Sequence, residues 1–542
     1  MSSRSLGHRS PLLWVLLPLM AGLVLGKLAW LPFSPVWWAV TGVVLVGGAL
    51  AFRKAWAPCL VLGVLLNGAA LYEITRARLA DWDELPPRET QVTVRVERMF
   101  APRPDYKSVS GLGRIISSDA LLPELAGQAV YFSVNLRRGT PPPIRSSKLV
   151  MVGVLQTLPR DPPGDTFDGY LANAGVNFRL TRGRILETSA PATAYNRFCD
   201  AALNRFDALL DFGIGTHPEL GGVYRAMLLG QQHELSEEQH TIFMQSGTMH
   251  LFSVSGLHIA TIAGVIYGAL VLLRLPRWAQ LVAGGTLLWL YVDITGGTPS
   301  AVRAWIMVMF LYASRTLRVP GNPFAALVAS AVVVLVFQPM QLFSASFQLS
   351  YGIVAALLLL GLPLGEAWIA RWALFADLPK AAWRWHQHAR DWAWRGFLGM
   401  LAIGVASTLF STVLGIAIFN LFTPGGLAAN LVLIPASMLV VLAGFLSLLC
   451  GLVGLGALGL LFNHAGILVL AVMEKSVRFF VTLPGVYHPA QFSPAWLGYA
   501  ATSLVLGAIL YGYAERWELK RGGFWPPFAL TALALVLGVS FG

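Results

Sequence analysis

The sequence predicts a polytopic α-helical membrane protein of about thirteen spans with a small OB-like β-barrel inserted after the third span. Three observations carry that expectation. Of 542 residues, 56% are hydrophobic and only 12% charged, about half the charged share of roughly 25% found in soluble domains. Most of the apolar residues lie in runs long enough to be read as membrane spans. One stretch, residues 73–222, departs from this with short alternating runs and proline-rich breakers.

In chain order, Arg4, His8 and Arg9 precede the apolar run Pro11–Trp30, and further apolar runs follow at Val36–Phe52 and Ala57–Tyr72. A signal peptide would not be followed at once by two more spans, so Pro11–Trp30 reads as a retained span of a three-span region, residues 1–72. Basic residues at the N-terminus and at Arg53/Lys54, two spans later, put both on the cytoplasmic side. The third span then delivers residue 73 outside.

Residues 73–222 read as an extracytoplasmic β domain followed by an amphipathic helix. Alternation marks five strands, at Thr90–Arg98, Gly111–Ser118, Gln128–Leu136, Lys148–Leu158 and Val176–Glu187. Five short strands suit an OB-like barrel. Between Arg88 and Arg184 there are fourteen Lys/Arg against eight Asp/Glu, a positive excess where the positive-inside rule does not require one. Phe100, Tyr106, Tyr131, Phe132 and Phe178 are interleaved with these charges. Charge for phosphates and rings for bases are what a single-strand binder needs, and Arg95, Arg98, Arg114, Arg137, Arg138, Arg179, Arg182 and Arg184 are the candidates. The plainer reading is a solvated face over a barrel core.

Ala194–Leu210 and Val223–Met244, the latter broken at Gln231–Ser236, read as amphipathic helices on the membrane surface. Residues 223–542 then supply about ten spans: Gly247–Leu270, Trp278–Asp293, Ala301–Leu317, Phe324–Phe337, Leu342–Leu362, Phe397–Phe419, Leu427–Leu449, Leu452–Met473, Trp496–Tyr513 and Phe524–Phe541. From a cytoplasmic N-terminus this parity puts Arg274/Arg277, Arg315/Arg318, the Arg371–Arg395 block and Arg516/Lys520/Arg521 inside and the C-terminus outside. The block at 368–395, with Lys380 among its cations and six tryptophans, suits anionic lipid or a departing nucleic acid.

The span at Gly247–Leu270 carries His250, Ser253, Ser255, Gly256 and His258 in its first half. Polar groups inside a span face a bundle interior or a wet cavity. On one straight helix the two histidines stand about 12 Å apart along the axis, too far to share a metal. Ser255 and His258 have no elbow motif or acidic partner for nucleophilic catalysis, and Cys59, Cys199 and Cys450 make no paired spacing. No catalytic residue, metal or cofactor is therefore expected. Arg303, just after the GGTPS break at 296–300, reads as a partner for a phosphate or for a carboxylate such as Asp293. Gln348 and Asn430, the latter five residues before Pro435, are further in-membrane amides.

HLFSVSGLH (His250–His258), GGTPSAVRAWIM (Gly296–Met307), SFQLSYGIVAAL (Ser346–Leu357) and AANLVLIPAS (Ala428–Ser437) resemble, in that order, the successive signatures of the ComEC competence family. GYLANAGVNFR (Gly169–Arg179) resembles the close of its N-terminal OB-like domain. The resemblance implies an inner-membrane channel that takes one strand of transforming DNA into the cytoplasm, with His250, Ser255, Gly256, His258, Arg303, Gln348 and Asn430 as path residues. Many members continue into a metallo-β-lactamase-like domain, and no HxHxDH sequence occurs here. The expected partners are therefore single-stranded DNA, the lipid bilayer, a DNA receptor protein, a separate nuclease and a cytoplasmic ATPase, since no Walker A motif is present. Homo-oligomerisation is left open. The alternative is a transporter of a lipid or another anionic envelope solute.

Overall fold

The fold was obtained as a computed structural model that describes residues 10–28, 34–52, 54–76, 82, 85–100, 108–118, 123–136, 141–159, 162, 166–215, 217–375, 378–379 and 383–541. Arg137, Arg138, Tyr106, Lys380, Arg53 and the N-terminal residues Arg4, His8 and Arg9 lie outside the described residues.

Every apolar run expected to span contains a helix. The first three are α1 (Leu13–Lys27), α2 (Pro35–Ala51) and α3 (Trp56–Thr75). Glycines let them touch: a Cβ at Gly22 would lie 2.1 Å from Leu65 O and one at Gly68 2.7 Å from Leu19 O, so α1 and α3 pack backbone to backbone.

The barrel comprises β1 (Arg88–Met99), β2 (Ser108–Ser118), β3 (Ala129–Asn135), β4 (Lys148–Thr157) and β5 (Phe178–Ala190), with helix α4 (Phe167–Asn173) between β4 and β5. It closes in the order β1-β2-β3-β5-β4, with only β3 and β5 parallel. Alternation explains the closure. Val92, Val94 and Val96 of β1 point inward with Phe132, Met151 and Phe178, all at most 1% exposed, while Arg95 and Glu97, on either side of Val96, point out.

After the barrel come α5 (Ala194–Asp211), α6 (Pro218–Leu229) and α7 (Glu237–Gln245). The expected break at Gln231–Ser236 is present, and Ser236 and Gln239 form a capping box that starts α7. The expected surface position is not what α6 adopts: Val223, Tyr224 and Ala226–Leu229 are buried. Pro218 at its start, eight buried positions and Gly230 at its left-handed cap make it a short core helix. α5 also docks on the bundle, where Asn463 Nδ2 donates to Leu209 O (2.9 Å) and Phe212 O (3.0 Å).

The remaining helices are α8 (Gly256–Leu272), α9 (Arg277–Ile294), α10 (Pro299–Thr316), α11 (Pro323–Phe337), α12 (Ala345–Ala356), α13 (Leu362–Arg371), α14 (Trp385–Phe419), α15 (Gly426–Leu452), α16 (Gly456–Thr482), α17 (Trp496–Ala514) and α18 (Trp525–Gly538). A π-helical turn, Leu357–Gly361, joins α12 to α13. Pro363 cannot donate to Leu359 O as a helical residue would, and Trp517 Nε1 donates to that carbonyl instead (3.0 Å). Pro435 sits inside α15 without ending it.

Among the described residues, seven segments are long and apolar enough to cross a membrane: Trp56–Thr75, Met249–Leu272, Ala345–Arg371, Trp385–Phe419, Gly426–Leu452, Gly456–Thr482 and Trp496–Ala514. Leu13–Lys27, Pro35–Ala51, Pro323–Phe337 and Trp525–Gly538 are apolar but shorter, and α9 and α10 are not among the seven. The chain is thus a polytopic helical membrane protein with a small barrel. A sheet of β6 (Leu421–Phe422), β7 (His488–Phe492) and β8 (Val539–Phe541) closes one end of the bundle. The run read as a span to Phe541 therefore leaves the helix at Gly538 to pair with β7.

Beside a small apolar cluster where α14 meets β7, the described bundle residues form two large cores. One joins α6, α8, α9, α10, α15 and α16, and the other joins α1, α11, α12, α14 and α17. Cys59, Cys199 and Cys450 are free thiols.

Candidate functional site

Contacts of Arg145, Asn173 and Arg76 mark the bundle end that carries the barrel. Arg145 pairs with Asp293 (2.7 Å), Asn173 Nδ2 donates to Phe343 O (3.2 Å), and Arg76 Nη1 donates to Val176 O (3.3 Å) and Asn177 Oδ1 (3.2 Å). Asp293 is thereby committed to the barrel rather than to Arg303. The GGTPS break is the turn between α9 and α10 at this end, with Gly296 (φ 91°) and Gly297 (φ 57°) in the left-handed region.

The helix expected from Gly247 begins only at Gly256. Gly247 (φ 69°) ends the preceding segment, Met249–Leu251 forms a single 3₁₀ turn, and Phe252–Ser255 leads into α8. His250 and His258 thus do not lie on one straight helix. The hydroxyl of Ser255 caps α8 by accepting from His258 N (3.4 Å). His258 is 1% exposed, and its ring nitrogens, near the backbone of Met227 and Ser253, complete no hydrogen bond among the described residues. His250 is exposed. Ser253 Oγ donates to His250 O at 3.5 Å, and Ser300 Oγ donates to Val254 O (3.0 Å), tying this loop to the start of α10.

Arg303 is 2% exposed. Its Nη2 donates to Ser346 O (2.9 Å) and Oγ (2.8 Å) at the start of α12, and its guanidinium lies 6.0 Å from the Tyr351 ring. Nε and Nη1 have no partner among the described residues. The residue borders a cavity of ≈240 Å³ with Gly297, Pro299, Gln338 and Gln341. Gln348 donates to Leu342 O (3.1 Å) and lines a separate cavity of ≈870 Å³. Asn430, in the first turns of α15, keeps Oδ1 unpartnered among the described residues, and α15 packs on α8 and on the Met249–Leu251 turn. The structure therefore gathers the bundle candidates around one set of helix starts at the barrel end. It does not line them along a single open bore.

The barrel arginines separate into groups. Arg95 on β1 stands between Lys148 on β4 and Arg114 on β2. Like charges side by side across strands are unfavourable unless something offsets them, and Glu97 pairs with Arg114 (3.0 Å). Arg182 and Arg184 lie on β5. Arg98 and Arg179 flank a cluster of rings: Phe100, Tyr131, Phe167 and Tyr170, with neighbouring centroids 5.2–6.2 Å apart. Arg98 lies 5.8 Å from the Phe100 centroid, while Arg179 adjoins Tyr131 across β3–β5 and pairs with Asp168 (2.8 Å). Phe167 and Tyr170 are 47% and 42% exposed, and neither is among the sequence candidates. Their only local signal is two rings three residues apart before a turn. Phe132 and Phe178, expected as stacking rings, are instead barrel core at 0% exposure.

The profile of the Competence protein family matches residues 227–515, just over half of the chain. The chain belongs to the Competence protein family. That competence region runs from within α6 to just past α17 and contains every bundle candidate, His250 to Asn430, while the barrel lies before it. Two curated relatives are similar over parts of their length. ComE operon protein 3 of Bacillus subtilis (strain 168) is 30% identical over 142 residues, 26% of this chain and 18% of the relative. Recombination protein 2 of Haemophilus influenzae is 25% identical over 223 residues, 40% of this chain and 26% of the relative. The matches thus span about a fifth to a quarter of the relatives' own length. No solved structure matches the chain.

Proposed function

We propose that this competence-family chain conducts one strand of incoming DNA across the inner membrane during natural transformation. The observation that carries the reading is the family match over a bundle whose polar helix starts gather at the end facing a basic, ring-bearing barrel. In this reading the chain makes about thirteen spans, with its N-terminus in the cytoplasm and residues 73–222 and the C-terminus outside. Its units are residues 1–72, 73–222 and 223–542.

The barrel attracts the strand through Arg95, Arg98, Arg114, Arg179, Arg182 and Arg184, with Arg137 and Arg138 in the adjoining segment, because phosphate charge dominates such binding. Bases then stack on Phe100, Tyr131, Phe167 and Tyr170. The strand passes His250, Ser253, Ser255, Gly256, His258, Arg303, Gln348 and Asn430 on its way inward. A DNA receptor, a nuclease and a cytoplasmic ATPase are separate partners in this scheme.

The test is uptake of labelled DNA and recovery of transformants in hosts carrying the intact gene, a deletion, and Arg303→Ala or His258→Ala at equal membrane abundance. The reading requires loss of internalised DNA in the deletion strain with surface-bound DNA unchanged, and at least a tenfold loss of transformants in the variants, about 1.4 kcal/mol in the rate-limiting barrier. Unchanged transformation after deletion, in a host with no second copy, would sink it.

A further inference from the structure

The ≈870 Å³ cavity lies between α1, α11, α12 and α17 and reaches up to α4 of the barrel. Its volume falls within the range of about 300–1,000 Å³ typical of small-molecule sites. Most of its wall is apolar, including Leu16, Met20, Leu327, Ala331, Leu414 and Leu506. The polar groups are unevenly distributed. Lys27 and Arg76 are the charged side chains among the described lining residues, no carboxylate lines it there, and Asn173 and Gln348 add amides.

The cations meet at the barrel end. Lys27 Nζ lies 4.8 Å over the Phe343 ring, whose other neighbours are Tyr72 (5.7 Å, edge-on) and, through its carbonyl, Asn173. Arg76, one turn beyond Tyr72, holds the α4–β5 turn by its Nη1. One end is cationic and the rest is mainly apolar, its hydroxyls at Thr502, Ser503 and Tyr351 already hydrogen-bonded within the protein, which is the polarity of a single anionic amphiphile. A DNA strand carries a phosphate on every nucleotide and is held by cations along its length. The described wall below Lys27 offers none.

We propose that this cavity is a binding site for an anionic phospholipid, with its phosphate at Lys27 and Arg76 and acyl chain between α1, α11 and α17. The lipid fills the seam between the first helix and the second core, where side chains leave a gap. It thereby seals the bundle and, of the path candidates named above, assigns Gln348 to the lipid site rather than to the strand. The site stands on the cavity and its charges and does not depend on DNA transport.

The test uses the full chain, purified in mild detergent and exposed to phosphatidylglycerol or phosphatidylcholine vesicles, with lipid retained per chain counted by native mass spectrometry. The expected result is one phosphatidylglycerol per chain and little phosphatidylcholine. Lys27→Ala lowers phosphatidylglycerol occupancy about fivefold, the loss of one membrane-surface cation. Ala331→Leu, which adds bulk to the α11 wall while keeping both cations, also empties the site. Comparing the two lipids on the unaltered chain needs no variant to fold. Equal retention of both lipids, no retained lipid, or occupancy unchanged in both variants overturns the proposal. So does displacement of the lipid by a single-stranded oligonucleotide, which would give the cavity to the strand. Oligonucleotide binding by the barrel, measured on Lys27→Ala, is expected to be unchanged and keeps the two readings separable.

Discussion

Arg303 sits where a charge is expensive, with two of its three nitrogens unpartnered and no carboxylate among its described contacts. A buried cation without a counter-ion is costly to fold, so its place near the start of α10 suits an anion that comes and goes. Trp517 has the opposite character, a purely structural device. Its indole N–H supplies Leu359 O with a donor where Pro363 cannot. Trp517→Phe retains a ring to stack on Phe524, whose centroid lies 4.8 Å away, and removes the donor. The expected loss is about 1–3 kcal/mol, read as a lower unfolding midpoint in detergent with transport per folded molecule unchanged.

Among the elements, the barrel's rings and arginines are expected to make two separable kinds of contact with a single strand. Phe167→Ala or Tyr170→Ala is expected to weaken binding of a single-stranded oligonucleotide to the full chain by about 1–3 kcal/mol for each base unstacked, without changing the salt dependence. Arg95→Ala is expected to reduce the slope of log affinity against log salt by about 0.7. Anisotropy titrations over a range of salt check both, and identical behaviour of the two variants would contradict the division.

The strands behind this surface were legible because β1, β2 and β3 alternate between buried and more exposed positions, although β4 buries Leu149, Val150 and Met151 in succession. Closure and the β3–β5 pairing follow from burying those inward faces. The ring cluster was not legible, since Phe100, Tyr131 and the Phe167/Tyr170 pair come from three separate segments. The start of α8 was hidden for a different reason. Met249, Leu251 and Phe252 carry the apolar pattern past His250, and only the backbone at Gly247 and the Ser255 cap reveal that the helix has not begun. Strands β6 and β8 have two and three residues, too few for any period to register, and they exist through pairing with β7.

At the scale of the whole molecule, the barrel is joined to the bundle by Arg145–Asp293, Asn173–Phe343 and Arg76 with the α4–β5 turn. Those joints bring the basic barrel over the helix starts at His250–His258, Arg303 and Asn430. The order of the four motifs was readable in the sequence, but their convergence at one end depends on the antiparallel path of α8 to α15. A strand in transit is expected to pass this convergence. The measurement is site-specific photocrosslinking in competent cells taking up labelled DNA, with the photoreactive residue replacing His250, Phe167 or, as an outward-facing control on α16, Leu468, which is 68% exposed. The expected result is single-strand adducts at 167 and 250, transient and lost when uptake is chased with unlabelled DNA, and none at 468. Adducts at 167 alone, or equal labelling at all three positions, would contradict it.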